Sequence, residues 1–451
     1  MDFYQACLFV LVAGNTGLLW SQYRKRRQSS DDAVNGEKYT AGQTAAMRSF
    51  QLTFFLPYIM AVAADWLQGP HIYAIYKYEK QLPEKLVAAL YATGFASGGI
   101  SASFAGSLAD RFGRKKACLL YCVLYVITCL TMLSDNLTTL FVGRFAGGVS
   151  TTLLFSVFEA WMISDYHERG LHVSEDPEAA SSSLDSTFST MTTLSCVVAI
   201  LSGIVGDGLV QASGTRTWPF LASIFCCIVA GLIISSTWRE NYGAATGEKP
   251  SLSLNGSTSR YAFLRDPKIL TLALATCVFE GTMYLFIFFW SAALKTARDA
   301  SGNGAELPFG LIFSSFMCTM LAGSAIYGRL RSRQSAPQTP SDILLGVVVV
   351  VSCCLGAVVN MRDERLMFFA FCIIEGCIGV YFPAMASLKS QLVDDDIRGR
   401  VYSVLRAPLN VFVVVAHCLD EEGTHHRNNI FLTCASLLLV VFIVARRHFP
   451  Q

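Results

Sequence analysis

The sequence predicts an all-α polytopic membrane protein, and three observations predict it. Of 451 residues, 53% are hydrophobic and only 15% are charged, against about 25% charged in a soluble domain. Thirteen apolar runs recur along the chain, each close to the ~20 residues an α-helix needs to cross a bilayer. Basic residues gather at alternate ends of these runs, the asymmetry that sets membrane orientation. A net charge of +2 gives no footprint of a nucleic-acid partner. All fifteen cysteines fall in or beside apolar runs, so they read as packing residues rather than disulfides. No metal-ligand spacing is present: His167-Glu168-Arg169 lacks the second histidine of a zinc-protease helix. No cofactor is expected, and no nucleophile constellation points to an enzyme.

The first run, Phe3 to Trp20, is followed at once by Arg24-Lys25-Arg26-Arg27. A cleavable signal peptide carries its positive charge before the apolar core, so residues 1–22 read as an extra N-terminal transmembrane helix. Its N-terminus is placed outside, with the basic cluster inside. Twelve core runs follow at 50–68, 86–108, 116–134, 138–163, 186–209, 217–238, 268–294, 308–330, 342–360, 366–386, 398–418 and 429–446. The turn between the second and third, Gly106 to Lys116 (GSLADRFGRKK), is short and basic and must face the cytoplasm. That puts the loops 164–185, 239–267, 329–341 and 387–400 and the C-terminus on the cytoplasmic side. Lys77, Lys80 and Lys85 in the outer loop 69–85 run against the trend. Residues 239–267 are rich in Gly, Ser and Pro and read as a flexible cytoplasmic linker between six-helix bundles at 50–238 and 268–447. Asn136 and Asn255 open formal glycosylation acceptors, and neither is expected to be modified.

Two related six-helix halves suggest a transporter, and particular strings go further. Gly106, Asp110, Arg111, Gly113, Arg114 and Lys115 match the signature turn of the major facilitator superfamily. VGRFAGG at Val142 to Gly148 and SDYHERG at Ser164 to Gly170 are similar to that superfamily's fourth-helix patterns. ADWLQ at Ala64, FEAW at Phe158, ENY at Glu240, FFW at Phe288, GLIFSSFM at Gly310, YFP at Tyr381 and RAPL at Arg406 together resemble the molybdate-anion transporter family. The resemblance runs from about residue 50 to the end. It implies a major-facilitator-type twelve-helix core working by alternating access. The activity it implies is uptake of molybdate, a tetrahedral dianion, across the cell membrane.

In that fold, core helices 1, 4, 7 and 10 line the central cavity. Each carries an ionisable residue within its apolar run: Asp65, Arg144 with Glu159, Glu280 and Glu375; the eleventh adds Arg406. A charge at mid-bilayer costs about 2.5–3.5 kcal/mol on insertion scales, so such groups face a cavity or a partner. A guanidinium offers a planar fork and stays charged when desolvated, which makes Arg144 and Arg406 the candidate molybdate-binding residues. Asp65, Glu280 and Glu375 could hold the arginines in place or take up protons and couple transport to a proton gradient. The bland reading is of buried structural pairs, Asp65 with Arg144 and Glu375 with Arg406. Asp110, Arg111 and Arg114 are candidate gating residues, with Asp165 as the acid they latch and Glu159 as a deeper competitor. Gly94, Ser97, Gly98, Gly99, Ser101 and Ser103 form a face that permits close helix approach, or whose hydroxyls could contact the oxyanion.

Other small anions such as sulfate, or an organic solute, stay open as substrates. So does a non-transporting receptor or scaffold on the same fold, although a scaffold has no need of charges on all four cavity helices. The expected setting is a lipid bilayer, and the expected assembly is a monomer.

Overall fold

The computed structural model describes residues 2–33, 41–171, 177–243, 266–302, 306–331, 339–393, 408–417 and 423–449. Residues 244–265 of the predicted linker, with Asn255, and Arg406 lie outside them. Every described element is helical: α1 (Phe3–Ala33), α2 (Ala41–Gln68), α3 (Glu84–Ala102), α4 (Ala105–Phe112), α5 (Arg114–Thr131), α6 (Leu137–Glu168), α7 (Pro177–Ser213) and α8 (Trp218–Thr237). They continue with α9 (Pro267–Ala300), α10 (Phe309–Arg331), α11 (Pro340–Val358), α12 (Glu364–Leu392), α13 (Pro408–His417) and α14 (Thr424–His448). Among the described residues, ten helices are long and apolar enough to cross a membrane, or eleven when α3 and α4 are taken together. Two expected crossings fall short of that measure for identifiable reasons. α5 has only 18 residues and begins Arg114-Lys115-Lys116, while the eleventh core run is described only as α13.

Local chemistry explains where four of the helices begin. Asn136 caps α6, its side-chain oxygen accepting from the Thr138 and Thr139 amides at 2.9 and 3.4 Å. The same asparagine is the formal glycosylation acceptor, so its side chain has a structural use. Asp266 caps α9 ahead of Pro267, and Asp363 caps α12. Thr339 and Asp342 form a reciprocal capping box around Pro340 at the start of α11.

Three expectations change. The stretch read as an outer loop at 69–85 stays helical through Glu79, in short turns Gly69–His71, Ile72–Ala74 and Ile75–Glu79. The run 86–108 is broken at Ser103-Phe104, where α3 and α4 meet at a 52° bend. Its Gly and Ser content weakens the helix there. The loop read at 164–185 is largely taken up by α6, which carries Asp165, and by the start of α7.

The chain divides into two compact units. The N-terminal unit holds residues 12–80 and 93–245, and the C-terminal unit holds residues 1–11, 81–92 and 246–451. In the N-terminal unit α2 packs on α7 and α8, and α5 packs on α6 and α8. Long-range bonds fix these contacts: Tyr121 donates to the Ala61 carbonyl, and Ser223 to that of Ala64, both at 2.8 Å. In the C-terminal unit α10 and α12 meet backbone to backbone, and a side chain on Gly323 or Gly379 would overlap the facing carbonyl of Gly376 or Met320. This is the small-residue packing that apolar helices use where water cannot drive association. The first turns of α1 dock in the same unit. The Tyr4 hydroxyl donates to Glu364, which Arg298 grips with both Nε and Nη2 at 3.0 and 2.9 Å.

Candidate functional site

Charged groups lie inside the helices of each unit, Asp65, Arg144 and Glu159 in the N-terminal one and Glu280 and Glu375 in the C-terminal one, with a further group at the basic turn. In the N-terminal unit, Asp65 lies near the end of α2, half-buried. Its Oδ1 accepts from the Tyr125 hydroxyl of α5 at 3.0 Å, and the same hydroxyl accepts from Gln68. Arg144 reaches Asp65 and Tyr76 through its electric field. The sequence paired Asp65 with Arg144 and missed Tyr125, which sits on a helix not expected to line a cavity. The signal was present as Tyr121 and Tyr125, one turn apart within an apolar run.

Helix α6 delivers Arg144 through its glycine pattern. Side chains on Gly143 and Gly147 would run into Thr131 and Thr128 of α5, and one on Gly148 would run into Ser97 and the backbone of α3. These glycines let α6 lie close to both neighbours. Thr152 strengthens the α3 contact, donating to the Gly98 carbonyl at 3.0 Å and accepting from Ser101. Glu159, further along α6, is half-buried; among the described residues it makes neither a hydrogen bond nor an ion pair.

In the C-terminal unit, the Tyr381 hydroxyl of α12 donates to Glu280 Oε1 of α9 at 3.2 Å, while its ring stacks on Phe279 with centroids 3.9 Å apart. Tyr381 therefore both packs against Phe279 and serves a carboxylate. Glu375 is 5% exposed, and among the described residues it has no hydrogen bond or ion pair. Its expected partner Arg406 lies outside them.

The basic turn is held differently from expectation. Gly113 takes φ +112° between α4 and α5, a conformation that favours glycine, and a side chain there would strike the Glu240 carboxylate. Arg114 bonds Asp110 at 2.8 Å and the Ala160 carbonyl at 3.1 Å. Glu240 accepts from the Lys115 amide at 2.8 Å, capping the start of α5 from a distant part of the chain. Asn241 accepts from the Arg114 amide, and Gly243 donates to the Asp110 carbonyl. Trp161 and Trp238 stack at 3.6 Å beneath this strap. The acids holding the turn here are Asp110 and Glu240, while Asp165, the expected latch partner, pairs with Arg169 one helical turn away at 2.7 Å. A carboxylate four residues from an arginine on one helix meets it at no chain-closure cost, which explains the preference. Arg111 is exposed, with its guanidinium over the Phe112 ring.

Many apolar spans in two units, with ionisable groups inside the helices, define a multi-pass membrane transporter of the major facilitator type. The comparisons agree. Residues 32–414 match a major-facilitator family described as sugar transporters with twelve transmembrane segments. The fold is similar to that of the nucleoside transporter NupG, with TM-score 0.66 and 11% identity over 89% of this chain and 99% of that one. It is also similar to the peptide transporter POT in complex with sulfate, with TM-score 0.69 and 13% identity over 88% and 94%. Among curated relatives, the molybdate-anion transporter of Xenopus tropicalis is 30% identical over 88% of this chain and 85% of its own length. That of Danio rerio is 28% identical over 96% and 93%. The chain belongs to the molybdate-anion transporter family.

Proposed function

We propose that this chain takes up molybdate across the cell membrane by alternating access of its two halves. The observation that carries the substrate is the match to relatives named molybdate-anion transporters along most of both chains. The geometry supports an anion: Arg144 is set within an apolar helix, and a guanidinium fork suits the oxygens of a tetrahedral dianion. Arg406 is the second binding arginine on sequence grounds alone. Asp65 orients the N-terminal cluster, and Glu280 with Glu375 serves the C-terminal one. Glu375 supports proton coupling, because a buried carboxyl without a counter-charge among the described residues is a place where a proton can enter the cycle.

The turn Asp110, Arg111 and Arg114, with Glu240, is the inner gate, and Glu159 and Asp165 lie beside it on α6. The protein works as a monomer, with residues 239–267 linking the bundles, its N-terminus outside and its C-terminus in the cytoplasm. The test is molybdate uptake by vesicles carrying the chain, with sulfate as competitor. Arg144→Ala should raise KM at least about thirtyfold, the equivalent of ~2 kcal/mol for hydrogen bonds to a charged group. Arg406→Ala should do likewise. No molybdate uptake by the intact chain refutes the substrate, and unchanged KM in both variants refutes the site.

A further inference from the structure

The VGRFAGG pattern explains how α6 packs but not what fixes the end of the Arg144 side chain. The facing helix supplies an answer. A Cβ built on Gly94 of α3 would lie 2.8 Å from Arg144 Nη2, 3.2 Å from Cζ and 3.3 Å from Nε. Three atoms of the guanidinium group thus border the space that any other residue at 94 would fill. Gly94 lies within α3 with no positive φ, so its backbone does not require glycine. The neighbouring glycine of α3 differs. A Cβ on Gly98, one turn further, would meet the Gly148 carbonyl oxygen at 3.4 Å, an ordinary contact. Close approach of α3 and α6 therefore does not need glycine at 98, whereas the guanidinium needs it at 94.

We propose that Gly94 is a positioning residue for substrate binding: its missing side chain is the seat that holds the Arg144 guanidinium at the position where it meets the anion. This rests on the reading that Arg144 binds the substrate. A long side chain ending in a charge has many rotamers, and a binding constellation must be held to within about 0.5 Å. The Gly94 seat does this without spending one of the guanidinium's N–H donors on a side-chain partner at residue 94. The three atoms nearest a methyl group at 94 all belong to the tip of a flexible side chain, so the helix pair survives and the guanidinium is displaced.

The experiment is molybdate uptake by vesicles carrying Gly94→Ala, Gly98→Ala, Arg144→Ala and the double variant Gly94→Ala/Arg144→Ala. Gly94→Ala is expected to raise KM about tenfold or more with maximal rate held within about twofold, the signature of lost binding rather than lost turnover. Gly98→Ala should leave both parameters unchanged. In the double variant KM should equal that of Arg144→Ala alone, because Gly94 acts only through the arginine. Normal KM in Gly94→Ala beside a raised KM in Arg144→Ala overturns the positioning role and leaves the substrate reading intact. Normal KM in Arg144→Ala overturns that reading and this inference with it. Should Gly94→Ala fail to fold, recovery of folded protein in the double variant supports the steric contact. Continued misfolding there overturns it.

Discussion

Asp65 and Glu375 are both carboxylic acids within apolar helices, one in each unit, and their surroundings differ. Asp65 accepts from Tyr125, which is itself engaged by Gln68, and the field of Arg144 reaches it. Glu375 is more deeply buried and has no such company among the described residues; its near neighbours include the Cys372 thiol. An acid wrapped in donors is held in one place as part of a fixed polar network. An acid outside such a network can gain or lose a proton without breaking one. The first arrangement suits orientation of a cation that binds an anion. The second suits a carrier of protons. On the function proposed above, the two halves would divide a task that charge counting along the sequence treats as shared.

The largest effect that would break this comparison is at Glu375. Glu375→Gln keeps size and shape while removing the titratable group. It is expected to abolish accumulation driven by an imposed pH gradient while leaving exchange of molybdate across the membrane intact. Gradient-driven accumulation at the normal level would place proton coupling elsewhere. Next comes Tyr125→Phe, which removes the donor to Asp65. Hydrogen bonds within membrane helix bundles average about 0.6 kcal/mol and reach about 1.7, while leaving a buried acceptor unsatisfied costs about 1–3 kcal/mol. A loss of about 1–2 kcal/mol is expected, read as a fall in thermal unfolding midpoint in detergent. No fall would mean that Asp65 is not part of a fixed network.

A third carboxylate, Glu240, carries the comparison to the basic turn. Glu240→Ala removes a cap from α5 and should cost about 0.5–2 kcal/mol. It should also raise the accessibility of a thiol reporter placed on the inner side while leaving KM unchanged. A raised KM instead would assign the turn to the substrate path.

The smallest effect is at Asp135, paired with Lys80 at 2.8 Å and almost fully exposed. The hydrogen bond from Lys80 and its positive charge hold the Asp135 carboxyl below the usual carboxylate range. A lowered folded value gives stability that is present above the unfolded pKa of about 3.9 and lost as pH falls through the folded one. Solvent screens the pair. Asp135→Asn should therefore leave uptake unchanged, with at most a slight fall in the unfolding midpoint at pH 7 that disappears as pH falls below about 4. The order Glu375, Asp65, Glu240, Asp135 then follows setting, from buried carboxyl through the half-buried network and the helix cap to open water.

The sequence by itself determined where the chain enters hydrocarbon, because a run of apolar residues is a local property and the bilayer demands a fixed length of it. It determined four helix starts for the same reason: Asn136, Asp266, Thr339 and Asp363 act on amides two or three residues away. It also exposed Asp65, Arg144, Glu280 and Glu375, since a charge in an apolar run stands out without any structure. What those charges touch was decided by tertiary structure alone. Tyr125 reaches Asp65 across 60 residues, Tyr381 reaches Glu280 across 101, and Glu240 reaches Lys115 across 125. A tyrosine in a membrane helix looks the same whether its hydroxyl serves a carboxylate or only packs. Gly94, too, is one of several small residues on α3, and only the approach of α6 singles it out as the one beneath the Arg144 guanidinium. Partners of buried groups depend on how helices distant in the chain pack together, and no short-range pattern encodes that.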